Sequence, residues 1–420
     1  MRENAVYTTS AVLWLLVCQR LNPDSSLEAA VKRLIESQPS LLPLNKRVTQ
    51  GTLSSNTGAY SRARSRLSPE VTRWFAQAVS QSLIDATPPA FAQRRVYIVD
   101  GTTLALSPEP ALLREFPAAT NQFGAGAWPI AQVVVAHELD SGTALLPEVS
   151  AKFGPQAVSE TALVGPLLEQ MPTDGIVLAD SGFGIYAVAW QVRQTQRDFV
   201  FRLTEQRFHA LRRCATVVSE DPAGTTYSLT WRPSVQERRK HAHLPADAVL
   251  EVRLHAQRIT DSLTLLLVTS LPHSGRELSE LYRRRSDVET DLRNIKIVLA
   301  TEQIRARSVD MFHKEFLMSL VAYNLLIQFR RQAAAVAQVP TRQLSFKRTW
   351  TTFSVFLLRH MHTDPVHWCE QYRTALGYAT LDKLPHRPNR SYEREAYQRR
   401  PKSAQFKKRI PKTPDKQPDH

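Results

Sequence analysis

The sequence predicts an α/β protein: a mixed-sheet core with a β-rich insertion, preceded by an all-helical N-terminal region. Three observations carry this. Residues 8–85 show helix caps and apolar helical faces; from Arg95, short apolar strand runs come in succession and then alternate with helical segments; and residues 205–272 carry strand patterns with no intervening helix pattern. Strands first, then strands alternating with helices, is the pattern of a mixed sheet covered by helices.

Val12, Leu13, Leu15, Leu16 and Leu21 mark a strongly apolar first helix. Ser25 to Glu28 has capping-box spacing ahead of Ala29, Ala30, Val31 and Leu34. The stretch Val48–Leu67 reads as a short helix, a turn and a basic helix carrying Arg62, Arg64 and Arg66. Two readings of it stand side by side: a helix-turn-helix-like DNA contact through Arg62 and Arg64, or a helical bundle with a solvated basic face. Ser68 and Pro69 then restart a helix as N-cap and first-turn residue.

Arg95–Leu106 is a strand run, and Ala127–Val135 and Thr143–Val149 are two more, joined through His137–Gly142 as an antiparallel pair. Ser159 begins a helix to about Met171; Gly175–Ala179 is a short buried strand, Ile185–Gln194 a helix and Asp198–Leu203 a strand. The insertion offers strands at Thr225–Trp231, Val249–Arg258 and Ser262–Thr269. Helices follow over Glu277–Leu299 and Val309–Ala337, the second so apolar that most of it must be core. The expected divisions are 1–92, helical; 93–337, the sheet-bearing domain; 338–386, helical; and 387–420, a basic tail that is disordered until bound.

The balance of 54 Lys+Arg against 39 Asp+Glu gives +15 over 420 residues, and the pI is near 9.9. Such an excess fits a nucleic-acid partner better than an acidic small molecule; the bland alternative is a merely basic enzyme. Cys18, Cys214 and Cys369 lie far apart without a Cys-x-x-Cys pair, which argues against a disulfide framework and a structural zinc. The apolar stretch Ala11–Cys18 stops at Arg20 and lacks a basic leader and cleavage site, and no run approaches the roughly 20 apolar residues of a span. An intracellular protein is expected.

The most informative segment is Tyr282–Lys296. On a helix, Tyr282, Arg285, Glu289 and Lys296 fall at roughly 0°, 300°, 340° and 320°, one stripe about 21 Å long. Leu281, Val288, Leu292, Ile295 and Leu299 form an adjoining apolar stripe at about 220–280°, whereas Asp287 and Asp291, near 140° and 180°, point elsewhere. Two further acids follow apolar strand runs: Asp100 in Val-Asp-Gly-Thr-Thr and Asp180 in Ala-Asp-Ser-Gly-Phe. Acids at the end of a buried strand project into the crevice where α/β sheets hold ligands, and Gly101 and Gly182 would not crowd it. Three clustered carboxylates need hard cations such as Mg²⁺, which accept oxygen ligands and keep positions for water and phosphate oxygens. Singly, each aspartate also reads as a turn former or helix cap.

The spacing Tyr282-x2-Arg285-x3-Glu289-x6-Lys296 resembles in full the Y-R-E-K signature of the insertion-sequence-four family of DDE transposases. Asp100-Gly-Thr-Thr resembles that family's first acidic motif and Asp180-Ser-Gly-Phe its second. The resemblance covers roughly residues 95–330; Ser181 departs from it, since many relatives carry a larger polar residue there. It implies a ribonuclease-H-like catalytic core, a metal-binding triad of Asp100, Asp180 and Glu289, and two Mg²⁺ ions, with Mn²⁺ as a substitute. It also implies that Tyr282, Arg285 and Lys296 contact double-stranded transposon-end DNA, and that a homodimer in the bacterial cytoplasm, at the nucleoid, excises the element and joins its 3′ ends to target DNA. In relatives a tryptophan of the insertion stacks on a flipped base; for Trp231 core packing is the expected role. Competing readings are a catalytically inactive or host-adopted DNA-binding descendant, and a ribonuclease-H-like nuclease or resolvase.

Overall fold

A mixed sheet organises the chain. In this computed structural model, which describes residues 6–22, 24–37, 42–122, 124–285, 304, 306–360 and 364–384, eleven strands are assigned among the described residues. They are β1 Val96–Ala105, β2 Thr120–Asn121, β3 Gly124–Ala125, β4 Ile130–Glu138, β5 Glu148–Ala151, β6 Ile176–Ala179, β7 Asp198–Arg202, β8 Thr216–Asp221, β9 Gly224–Trp231, β10 Leu250–Thr260 and β11 Leu263–Thr269. Nine share one sheet in the order β5-β4-β1-β6-β7-β11-β10-β9-β8, and β2 and β3 form a separate pair. β1 runs parallel to β6, and β6 to β7. The pairings of β4 with β1 and β5, and of β11 with β7, are antiparallel.

Period-two alternation sorts each central strand between two cores. Val96, Ile98, Ile176 and Leu178 pack into one cluster; Tyr97, Val99, Val177 and Ala179 pack into the other. The first face carries helices Thr9–Leu21, Leu27–Ser37, Gly58–Arg66, Gly275–Arg283, Val309–Val336, Phe346–His360 and Pro365–Ala379 through residues of the same cluster. The second carries Val164–Leu168 and Tyr186–Gln194, the latter linking the parallel neighbours β6 and β7. The N-terminal helices therefore share an apolar core with the sheet.

Local signals explain most elements. Ser68 accepts from the Val71 N–H at 3.4 Å with Pro69 following, and Ser308 starts the long helix by accepting from the Met311 N–H at 3.3 Å. That helix, Val309–Val336, is buried along most of its length, as its apolar content predicts. The cap ahead of Leu27–Ser37 is Ser26 rather than Ser25: its hydroxyl accepts from the Ala29 N–H at 3.1 Å. The helix expected from Ser159 is a 3₁₀ turn, Glu160–Leu163, followed by the short helix Val164–Leu168.

The insertion corrects the sequence reading twice. It contains helices Glu205–Arg212 and Val235–Lys240, and a further strand, β8, at the sheet edge. All six residues of β8 are exposed, so no apolar alternation marks it. Because β11 pairs with β7, the insertion strands extend the core sheet itself. Trp231 is buried and meets Tyr186 edge-to-face at 5.2 Å, the expected core packing. The helix expected over Glu277–Leu299 is observed as Gly275–Arg283; residues 286–300, which include Asp287, Glu289, Asp291 and Lys296, lie outside the described residues, as does the basic tail 387–420.

Candidate active site

The adjacency of β1 and β6 creates the site. Their parallel register runs from Val96 opposite Ile176 to Val99 opposite Ala179, so Asp100 and Asp180 occupy the next position on neighbouring strands. Both follow the alternation of Ile98 and Leu178, which places both carboxylates on the face that carries helix Gly275–Arg283. Asp180 ends its strand as expected. Asp100 does not: β1 continues to Ala105, and what ends at Asp100 is the pairing to β6 and the fully buried part of the strand.

Arg285 closes the pair. Its Nη2 stands 3.5 Å from Asp100 Oδ2 and 3.9 Å from Asp180 Oδ2, with the guanidinium 13 % exposed and the carboxylates 18 % and 38 %. One planar cation thus bridges two carboxylates that would otherwise repel. Arg285 reaches this point from a tightened helix end: the N–H groups of Arg284 and Arg285 donate to the carbonyls of Leu281 and Tyr282, three residues back. Tyr282 belongs to the same stripe in sequence but is 7 % exposed, packed in the apolar cluster with Leu278 and Leu281.

Backbone groups hold the carboxylates in place. The Gly101 N–H donates to Asp100 Oδ1 at 2.9 Å and the Gly182 N–H to Asp180 Oδ1 at 2.8 Å. Gly184, in the same loop, serves close approach: a Cβ there would run into the Arg202 backbone carbonyl oxygen. Arg207, on helix Glu205–Arg212, donates to the Ser181 carbonyl at 2.5 Å and to that of Gly184 at 3.4 Å, tying down the loop that presents Asp180. Sequence inspection missed Arg207, which stands in no motif and acts across 26 residues.

Two neighbouring carboxylates, oxygen donors only, suit a hard divalent cation. Among the described residues no group of three or more His, Cys, Asp or Glu gathers as a metal site; the third expected acid, Glu289, and Lys296 lie outside the described residues.

The basic helix Gly58–Arg66 divides its arginines. Arg62 is exposed. Arg64 turns inward: its Nη1 stands 3.3 Å from Glu315 Oε1, and Arg20 Nη2 holds Glu315 Oε2 at 2.9 Å, with Glu315 only 3 % exposed. Tyr60, fully buried beside them, donates its hydroxyl proton to Gln19 Oε1 at 2.7 Å.

Residues 91–325 match the family described as Transposase DDE domain. Over 396 residues, the chain is 24% identical to the Transposase InsG for insertion sequence element IS4 of Escherichia coli (strain K12), covering 92% of this chain and 85% of that protein.

Proposed function

The chain belongs to the transposase DDE domain family and is a bacterial insertion-sequence transposase, and on that premise we propose that Asp100, Asp180 and Glu289 form its metal-binding catalytic triad. The observation that carries this reading is the convergence of Asp100 and Asp180 on one guanidinium, Arg285, at the edge of two parallel strands. A ribonuclease-H-like core for residues 93–337 is supported by the mixed order β5-β4-β1-β6-β7, in which the first three strands pair antiparallel and the last three parallel.

The oxygen-only donor set favours Mg²⁺, with Mn²⁺ able to replace it. Two such ions supply activation of a water or 3′-hydroxyl and stabilisation of the leaving oxygen in phosphodiester cleavage and transfer. The chain's residues do the rest. Asp100 and Asp180 hold the cations in backbone-fixed orientations, and Arg207 keeps the Asp180 loop in register. Arg285 balances both carboxylates here, and it is placed to take a phosphate oxygen once cations balance them. Lys296 and the exposed Arg62 join it as phosphate contacts on double-stranded transposon-end DNA, and Tyr282 positions the Arg285 turn from the core. Synapsis of two ends would take a homodimer.

Purified protein incubated with Mg²⁺ and DNA carrying the element's terminal inverted repeats should nick the 3′ ends and then join them to target DNA. Asp100→Ala, Asp180→Ala and Glu289→Gln should each abolish both steps. Wild-type nicking by the Glu289 variant would remove Glu289 from the triad, and nicking without joining would favour a nuclease.

A further inference from the structure

The loop that presents Asp180 runs into a helix whose start its own sequence leaves uncapped. Ile185 holds the N-cap position of helix Tyr186–Gln194, and its side chain has no oxygen to offer the first-turn N–H groups. The acceptor comes from the insertion: Glu237 Oε1 takes the Tyr186 N–H at 3.0 Å, across 51 residues of chain. The other carboxylate oxygen serves Glu237's own helix, Val235–Lys240. Glu237 Oε2 accepts from the Ser234 N–H at 3.0 Å and from the Ser234 hydroxyl at 3.1 Å. The Glu237 N–H donates back to Ser234 Oγ at 3.1 Å, which completes a capping box. One carboxylate thus serves two helix N-termini, where negative charge is favoured.

A second contact from the same segment falls on the same residue. Trp231, at the end of β9, meets the Tyr186 ring edge-to-face at 5.2 Å, and Trp190 stacks on that ring at 6.1 Å. Tyr186 is fully buried. The stretch from Trp231 to Glu237 therefore holds Tyr186 both by its ring and by its backbone. Between β6, which ends at Ala179, and Tyr186 lie only residues 180–185. Within them the Phe183 N–H donates to the Asp180 carbonyl at 3.2 Å, and the Ile185 N–H to that of Phe183 at 2.8 Å. A loop this short and this bonded passes any displacement of Tyr186 on to Asp180.

We propose that Glu237 is a positioning residue for the Asp180 carboxylate. It fixes the far end of the loop whose carbonyls Arg207 holds, so that the insertion sets the geometry of a metal ligand. The proposal rests on the reading of Asp180 as a metal ligand given above. Glu237 acts through the Tyr186 N–H and touches no reacting group.

The test compares the full chain with Glu237→Ala, Glu237→Asp, Glu237→Gln, Ser234→Ala and Asp180→Asn. Hydrogen exchange over residues 180–188 reads the clamp without metal, and a Mn²⁺ titration followed by electron paramagnetic resonance reads its effect on the site. Glu237→Ala should exchange about tenfold faster over 180–188, with β1 and β6 unchanged. It should also bind Mn²⁺ about tenfold more weakly, as loss of outer support for a ligand does. Glu237→Asp, one methylene too short to serve both helices, should move both readouts the same way and covers the case in which the alanine variant misfolds. Glu237→Gln keeps an oxygen for Tyr186 and should restore most of both. Ser234→Ala breaks the capping box but leaves the Tyr186 bond, and should change neither. Unchanged exchange in the alanine and aspartate variants, or an equal change in Ser234→Ala, overturns the proposal. So does Mn²⁺ binding that Asp180→Asn weakens and Glu237→Ala does not. If Asp180→Asn binds Mn²⁺ as wild type does, the metal-ligand reading fails instead, and the exchange result alone decides the clamp.

Discussion

Glu315→Gln perturbs the contact by which the N-terminal helices grip the helix Val309–Val336. Glu315 receives Arg20 at 2.9 Å and Arg64 at 3.3 Å, and the three side chains are 3 %, 5 % and 12 % exposed. Neutralising the carboxylate leaves two guanidinium groups close together in a largely buried site. Breaking a buried pair in this way costs about 3–5 kcal/mol, because the orphaned charge keeps its desolvation penalty. Against a total stability on the order of 5–15 kcal/mol, that is a large fraction. Urea unfolding followed by circular dichroism should show the midpoint falling at unchanged slope. The double variant Arg20→Met with Glu315→Gln should recover part of the loss, since one of the two stranded cations is gone, and the cycle isolates the coupling. A loss below about 1 kcal/mol in the single variant would show the site to be wet and the argument from burial to be wrong. The same measurement separates the two arginines first read as DNA contacts: Arg64→Ala should destabilise the fold, whereas exposed Arg62→Ala should leave unfolding unchanged.

Arg207→Ala should reduce Mg²⁺-dependent cleavage about 10–100-fold while unfolding stays near wild type, as expected for a group that positions a ligand-bearing loop; full activity would show that the Asp180 loop needs no such tie. Stability should also fall in acid through two buried histidines. His137 is pushed down to about 3 and His255 to about 4, each chiefly by burial, while the unfolded chain protonates near 6.5. Because the folded values are depressed, this stability is complete above about pH 6.5 and drains away as pH falls toward 4. By pH 5.5 the loss is about 1.4 kcal/mol for each histidine. Urea midpoints measured in phosphate-free buffer test this, and His137→Phe should remove roughly half of the acid slope; an unaltered slope would mean that His137 is already hydrated.

What the sequence determined by itself was local. Apolar runs ending in Asp-Gly and Asp-Ser-Gly marked β1 and β6 and singled out Asp100 and Asp180; Ser68-Pro69 marked a helix start; the spacing from Tyr282 to Lys296 carried the family resemblance. These signals lie within a few residues of each other, where periodicity and capping chemistry act. Tertiary structure decided what long-range contact decides. It made β1 and β6 parallel neighbours, so that two aspartates 80 positions apart share Arg285. It joined the insertion to the core sheet through β11 and β7, and supplied β8, whose exposed residues leave no periodic trace. It turned Arg64 inward to a glutamate far along the chain and buried Tyr282 while leaving Arg62 in solvent. A charged side chain has no periodic signature that reveals its partner; whether it faces DNA or a buried carboxylate depends on which helix packs against it.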